Sequence, residues 1–341
     1  SFGGVFAAGA NEAQMENNGK AIVEFSNNGE LTEVEKLNIE GTSSSENTLI
    51  SNGNGGGGLA GLGAAIIKNN INTKADVVFG GNWKVADILD IKASDNNKVS
   101  LSADSTRGGL VGANGINIEN NVSNKEATKV KIVDGTKVSG TGSVNVESRN
   151  DIDVDINASG AAYGAVGNAN VIVKNNVDKK TEIEIGKADI VTDGKQEYQG
   201  FTNADILVKN KIDAIGAVAI TIGKTENTLN TSNKISLAEN GNLKTNKYNQ
   251  DIILAASDKI KDIVEGIAES SGAGAGSRAE VTSNFDRKNR IDVNGNILSY
   301  NDTKLYAGMD KNGVSSSVDY RALAHSYTHG VFTGATPILN T

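Results

Sequence analysis

Ala64–Ile71 reads AAIIKNNI, Ile116–Val122 reads INIENNV and Val171–Val177 reads VIVKNNV. Each is an apolar-alternating stretch that closes on paired asparagines and one β-branched residue. Looser copies surround Asn18, Asn227 and Asn284. The series Asn18, Asn70, Asn121, Asn176, Asn227 and Asn284 advances in nearly even steps. Self-similarity at a fixed period of this size is the signature of a repeat architecture.

A second landmark keeps the same period. A turn glycine followed by an alternating stretch recurs at Gly29, Gly81, Gly135, Gly194, Gly241 and Gly295. A Gly/Ala run also accompanies each unit, as in GGGGLAGLGAA, ASGAAYGAVGNA and SSGAGAG. Two landmarks in constant order predict about six copies of one ~53-residue unit, so residues 1–341 read as a single repeat segment.

Within a unit the period is two. Asp151-Ile152-Asp153-Val154-Asp155-Ile156 places every second residue on an apolar face, the pattern of a half-buried strand. Lys129–Ile132 and Glu182–Ile185 repeat it. The expected fold class is all-β: a right-handed parallel β-helix, each repeat making two or three coils. At ~4.8 Å per coil that gives a rod on the order of 80–90 Å long. A propeller blade has similar length but usually carries Trp or Gly-His signatures, and the chain has one Trp, Trp83. Stacked turns place Asn over Asn, so Asn70, Asn121 and Asn176 are the candidates for a hydrogen-bonded ladder. One stretch departs from period two. Ile260, Ile263, Val264 and Ile267 have helical spacing, with Ser257 as N-cap and Asp258 in the first turn, which predicts a short helical insertion at 258–270.

Composition narrows the chemistry. Aromatics are 4%, against 40 glycines and one proline, so the core is expected to be filled by Val, Ile, Leu and Ala. With no cysteine there is no disulfide framework and no thiolate site. A net charge of −8 argues against nucleic acid and anionic membrane surfaces as partners. No stretch reaches the ~18 apolar residues of a bilayer span.

The candidate catalytic and metal motifs each lack a residue that their chemistry needs. Asp151, Asp153 and Asp155 lack the Gly and Glu of a calcium loop and read as one solvated strand face. His325 and His329 stand four apart without a third ligand or an intervening Glu. Gly223-Lys224-Thr225 lacks the earlier glycine of a phosphate loop. Asp292–Gly295 and Asp310–Gly313 read as turns. No catalytic, metal or cofactor-binding residues are expected. The Gly/Ala runs are expected to mark a narrow corner, with membrane insertion or self-association as the sharper reading.

The combination of Gly/Ala run, strand ending in Asn-Asn-Val/Ile, and the later stretch Asn294-Gly295-Asn296-Ile297 with Asn301–Gly308 resembles filamentous-haemagglutinin-like bacterial exoproteins. It is most similar to fusobacterial leukotoxin and adhesin repeats. The resemblance implies a non-enzymatic, cofactor-free segment of a larger secreted or cell-surface virulence protein. It implies export through an outer-membrane transporter and action at a host cell surface, as a toxin or as an adhesin stalk. A glycan-cleaving β-helix is the reading from another class. The isolated segment is expected to be monomeric.

Overall fold

Alternation over most of the chain leaves period-two strands little choice but to stack and cover one another's apolar faces. The computed structural model describes residues 2–341, with side-chain burial from Val5 onward. A half-coil, β1 (Phe2–Ser26), precedes the first coil, β2 (Thr32–Asn52) and β3 (Gly55–Gly80). The second coil is β4 (Asn82–Gly108), β5 (Val111–Ser123) and β6 (Thr128–Ile132); the third is β7 (Lys137–Gly140), β8 (Ser143–Tyr163) and β9 (Val166–Ile185). The fourth is β10 (Asp189–Thr192), β11 (Gln196–Ile215) and β12 (Val218–Leu237); the fifth is β13 (Asn242–Thr245), β14 (Ile252–Ser271) and β15 (Gly274–Val293). The sixth is β16 (Asn296–Leu298), β17 (Thr303–Ala307), β18 (Ser317–His329) and β19 (Phe332–Asn340). All the strand pairings are parallel, the arrangement of a parallel β-helix.

One repeat is one coil. Ala60 pairs with Val111, and Val111 in turn pairs with Val166, so each ladder partner lies a single repeat further along the chain. The expectation of two or three coils per repeat is therefore corrected. The stack rises on the order of 30 Å over six steps of ~4.8 Å, not 80–90 Å. Counting strands from alternation misleads because β8 and its equivalents run on through positions that the sequence reads as separate short strands.

Each coil is two long strands laid face to face, closed at one end by the Gly/Ala turn and at the other by a short third side. The first wall stacks β2, β4, β8, β11, β14 and β18; the second stacks β1, β3, β5 with β6, β9, β12, β15 and β19. Inward residues form two apolar lobes. Ile152, Val154 and Ile156 face Val171 and Val173 near the Gly/Ala turn. Val144 and Val146 share the other lobe with Ile183, Ile185, Ile190 and Tyr198. Trp83 closes a corner of that lobe, stacked on Phe25 and Phe79 at 5.2 and 6.0 Å between ring centres.

The expected helix at 258–270 is a strand. Ser257–Glu269 lies inside β14, in unbroken register with β11: Ile260 beside Ala204, Val264 beside Val208. The inward face of this segment carries Asp258 and Asp262 in alternation with Ile260 and Val264. Two buried carboxylates erase the apolar side of the alternation, and the outward Ile263 and Ile267 then mimic a helical stripe.

Glycine is required at one column by contact rather than by torsion. Gly57, Gly109, Gly164, Gly216, Gly272 and Gly330 stack at the turn between the walls, and a Cβ on each of the last five would fall closer than 3.0 Å to the carbonyl oxygen of the glycine below. At the opposite turn, the amides of Lys137, Asp189, Asn242 and Asn296 donate to the carbonyls of Gly81, Thr136, Ala188 and Gly241. Gly194, which the repeat reading aligned with these, instead donates to Gly142 in the next turn. Gly272→Ala should therefore destabilise by about 1–3 kcal/mol through overpacking. Gly274→Ala, with nothing within 4 Å of the added carbon, should leave the chemical-denaturation midpoint unchanged, and the pair of curves checks the assignment.

Candidate functional site

The paired asparagines divide between the two faces of one strand. Asn70, Asn121 and Asn176 occupy an outward column, where the Asn121 amide donates to the Asn70 Oδ1 at 2.9 Å and that of Asn176 to the Asn121 Oδ1 at 3.0 Å. Their immediate predecessors point inward. The amides of Asn47, Asn69, Asn120 and Asn175 donate in turn to Asn69, Asn120, Asn175 and Asn227 at 2.6–2.7 Å, all buried. Asn227 therefore belongs to the inner column, although the repeat series set it with Asn176; the ladder partner of Asn176 is Thr228. Asn18 likewise pairs with Asn72 and not with Asn70. A one-residue offset moves a strand side chain to the opposite face.

The inner ladder delivers its donors to a carboxylate. The Asn227 amide reaches Asp262 Oδ1 and Oδ2 at 3.0 and 2.9 Å. Burial pushes the Asp262 carboxyl up to about 6, against the pull of that amide. Around the ladder lies a belt of buried polar groups separating the two apolar lobes. Lys179 Nζ meets Asp95 Oδ2 at 2.7 Å, both side chains fully buried, and also reaches the Thr73 carbonyl at 3.3 Å. Burial lowers the Lys179 ammonium below its ordinary range, and Asp95 draws it back. Arg287 and Asn289 bind Asp258 at 3.1 and 2.8 Å. The Asn227–Asp262 and Lys179–Asp95 contacts join different coils inside the core, while buried Asp258 is held within its own coil by a partly exposed Arg287, so these groups act on register and stability.

The surface carboxylates make no enclosed site. Asp151, Asp153, Glu46, Lys98 and Asp205 border an open depression of about 480 Å³. Their charges are largely matched: Arg149 forks onto Asp151 at 2.6 and 2.8 Å, Lys98 meets Glu46 at 2.9 Å, and Lys261 meets Asp205 at 3.0 Å. Asp213 and Glu269 stack in adjacent coils, and burial together with the Glu269 carboxylate raises the Asp213 carboxyl. Their depression, about 230 Å³ with Tyr163 and His329 on its rim, is smaller than ordinary ligand pockets. His325 and His329 lie on one strand, ~13 Å apart along it, and His325 Nδ1 is 2.6 Å from the Tyr327 hydroxyl. Gly223-Lys224-Thr225 is extended within β12. Among the described residues no group of three or more His, Cys, Asp or Glu side chains could hold a metal ion.

Sequence reasoning singled out the Gly/Ala runs as a narrow corner but missed the exposed large apolar residues that they carry along that edge. Because one repeat is one coil, the runs stack into a single ridge. Val111, Val166, Val218 and Phe332 share one outward column, broken only by Gly274. Leu62, Leu110, Tyr163, Ile215 and Val331 flank it, all exposed, Phe332 by 78% and Val331 by 79%. Residues 53–67, 108–115, 163–170, 215–222, 271–277 and 329–337 contain no Asp, Glu, Lys or Arg, in a chain that is 22% charged. The signal available in the sequence was this charge-free window recurring once per repeat with one or two large apolar residues in most copies. Compared with family models, curated proteins and solved structures, the chain matches none of them.

Two substitutions separate the asparagine columns. Asn120→Ala strands an amide and a carbonyl in the belt and should cost about 2–4 kcal/mol in urea unfolding, whereas Asn121→Ala, on the outer column, should cost less than about 1 kcal/mol. Asp262 has its own pH signature. Its folded-state pKa is raised, so its contribution is fully present below the ordinary Asp range and is lost as pH rises through about 6. Relative to Asp262→Asn, the native protein should lose on the order of 3 kcal/mol between pH 4 and pH 7; parallel denaturation curves at the two pH values check it.

Proposed function

We propose that the chain is a non-catalytic interaction segment of a large exported exoprotein of the leukotoxin type, and that its apolar ridge is the surface that meets host cells. The ridge carries the interaction half of this reading. Clustered large apolar residues on the surface of a folded protein commonly mark an interaction site. Export past an outer-membrane transporter, and a secreted or cell-surface location, rest on the repeat resemblance. The absence of cysteine accords with a chain that crosses membranes unfolded.

The test uses the whole chain, fluorescently labelled, on leukocytes, with dye leakage read in parallel. Saturable binding, lost in a Leu110→Glu/Val218→Glu variant, is the expected result. Binding accompanied by leakage supports toxin action, and binding without leakage supports an adhesin stalk. Equal binding by both proteins, or by neither, contradicts the reading.

A further inference from the structure

We infer that the ridge docks into the interfacial zone of a zwitterionic lipid surface, inserting only the turn of each coil. This deepens the reading of the ridge as the working surface and rests on it. Three observations carry the choice of occupant.

The first is hydrogen bonding. A turn normally exposes backbone groups that need water, which keeps irregular chain out of lipid. Here the turns are tied to one another. The amides of Gly109, Gly164, Gly216 and Gly272 donate to the carbonyls of Tyr163, Ile215, Ser271 and His329 at 2.9–3.2 Å. On the far side of the turn, Val166, Val218, Gly274 and Phe332 donate to Leu110, Ala165, Ala217 and Ala273 at 2.9–3.0 Å. The stacked glycines make this possible, since any Cβ would hold adjacent turns apart. One amide on each side of the turn is thereby satisfied within the protein. The amides of Ala165, Ala217, Ala273 and Val331 between them have no partner among the described residues and keep water in the headgroup zone, so the turn reaches the interfacial layer and not the hydrocarbon core.

The second is charge. The windows that form the ridge contain no Asp, Glu, Lys or Arg, while the chain as a whole is at −8. An anionic leaflet would repel the molecule, and a neutral headgroup layer would not. The flanks set the depth. Asp213 and Glu269 stand two residues back from Ile215 and Ser271 on the first wall, and Arg278 and Lys224 occupy the second wall beyond the ridge. Insertion stops where these begin, about 5–10 Å in, the depth typical of interfacial binding. Among the described residues no helix is long and apolar enough to cross a membrane.

The third is shape. The ridge is the outside of a chain reversal and so is convex. Two such ridges meet along a line and cannot reach the ~800 Å² per partner of a stable protein interface. A fluid lipid surface conforms to a convex edge. Tyr163 on the ridge is of the residue class that favours the headgroup boundary, and Phe332 is of the class that interfacial elements bury below it.

The experiment is sedimentation of the whole chain with phosphatidylcholine vesicles over a range of lipid concentrations. The native chain should partition onto the vesicles, and Leu110→Glu/Val218→Glu should lower the apparent affinity by about tenfold or more. Ser44→Glu/Thr48→Glu adds the same charge on an exposed wall away from the ridge and should bind as the native chain does. Thermal melts of all three establish that they fold. Three results overturn the proposal: no partitioning by the native chain, equal partitioning by the ridge variant, or a dimer in ultracentrifugation that the ridge substitutions dissolve. Ridge-dependent leukocyte binding without vesicle binding overturns the lipid assignment but leaves the interaction reading standing. Loss of both removes the two together.

Discussion

Every other feature of the molecule follows from the parallel backbone ladder that sets one coil directly on the next. With ladder partners one repeat apart over most of the stack, a side chain sits above its own counterpart in the preceding repeat. Whatever a repeat contains is thereby multiplied into a column: glycine on glycine at the turn, asparagine on asparagine inside, valine on valine along the ridge. The departure in the sixth coil shows how firmly the ladder is held. Pairing runs at Ile252 with Thr303 and resumes at Lys259 with Ser317, a wider separation than before, and the surplus chain leaves the stack as a loop. Asp310 Oδ1 accepts the amides of Asn312 and Val314 there, and Gly313 takes a positive φ of 79°.

The polar belt is the costly part of this design. A wholly aliphatic interior of the same size would be easier to desolvate, and the Lys179–Asp95 pair spends much of its attraction on losing water. What the belt supplies is discrimination between registers. An apolar column tolerates sliding by two residues, since valine meets isoleucine either way. An inward asparagine or lysine shifted by two would meet an aliphatic lobe and lose its partners. Lys179 spans this frame by binding Asp95 of the second coil and Thr73 of the first from its own place in the third.

Period two, six units and a parallel β-helix were legible in Ala64–Ile71 and its copies. The number of coils per unit was not. It depends on how far one strand continues before it turns, and nothing local in β8 distinguishes a 21-residue strand from several short ones. Residues 258–270 failed for a related reason: Asp258 and Asp262 stand at inward positions, and a reading that assumes interiors are apolar assigns the wrong face. The asparagine pairs were half legible. Their periodicity picked out Asn70, Asn121 and Asn176, but the buried ladder runs through their neighbours Asn69, Asn120 and Asn175. The ridge was hidden because exposure is a property of the stack, and a Gly/Ala run looks the same whether its few large residues face inward or out.

The continuity of that ridge depends on each repeat being one coil, and this is open to direct measurement. The chain has no cysteine, so spin labels can be placed at introduced cysteines alone. Val111 and Phe332 stand on the same outward column four coils apart, both exposed. Pulsed electron paramagnetic resonance on Val111→Cys/Phe332→Cys should give a separation centred near ~20 Å, four steps of ~4.8 Å. A distance near ~60 Å, as three coils per repeat would produce, would contradict the one-coil repeat and the ridge with it.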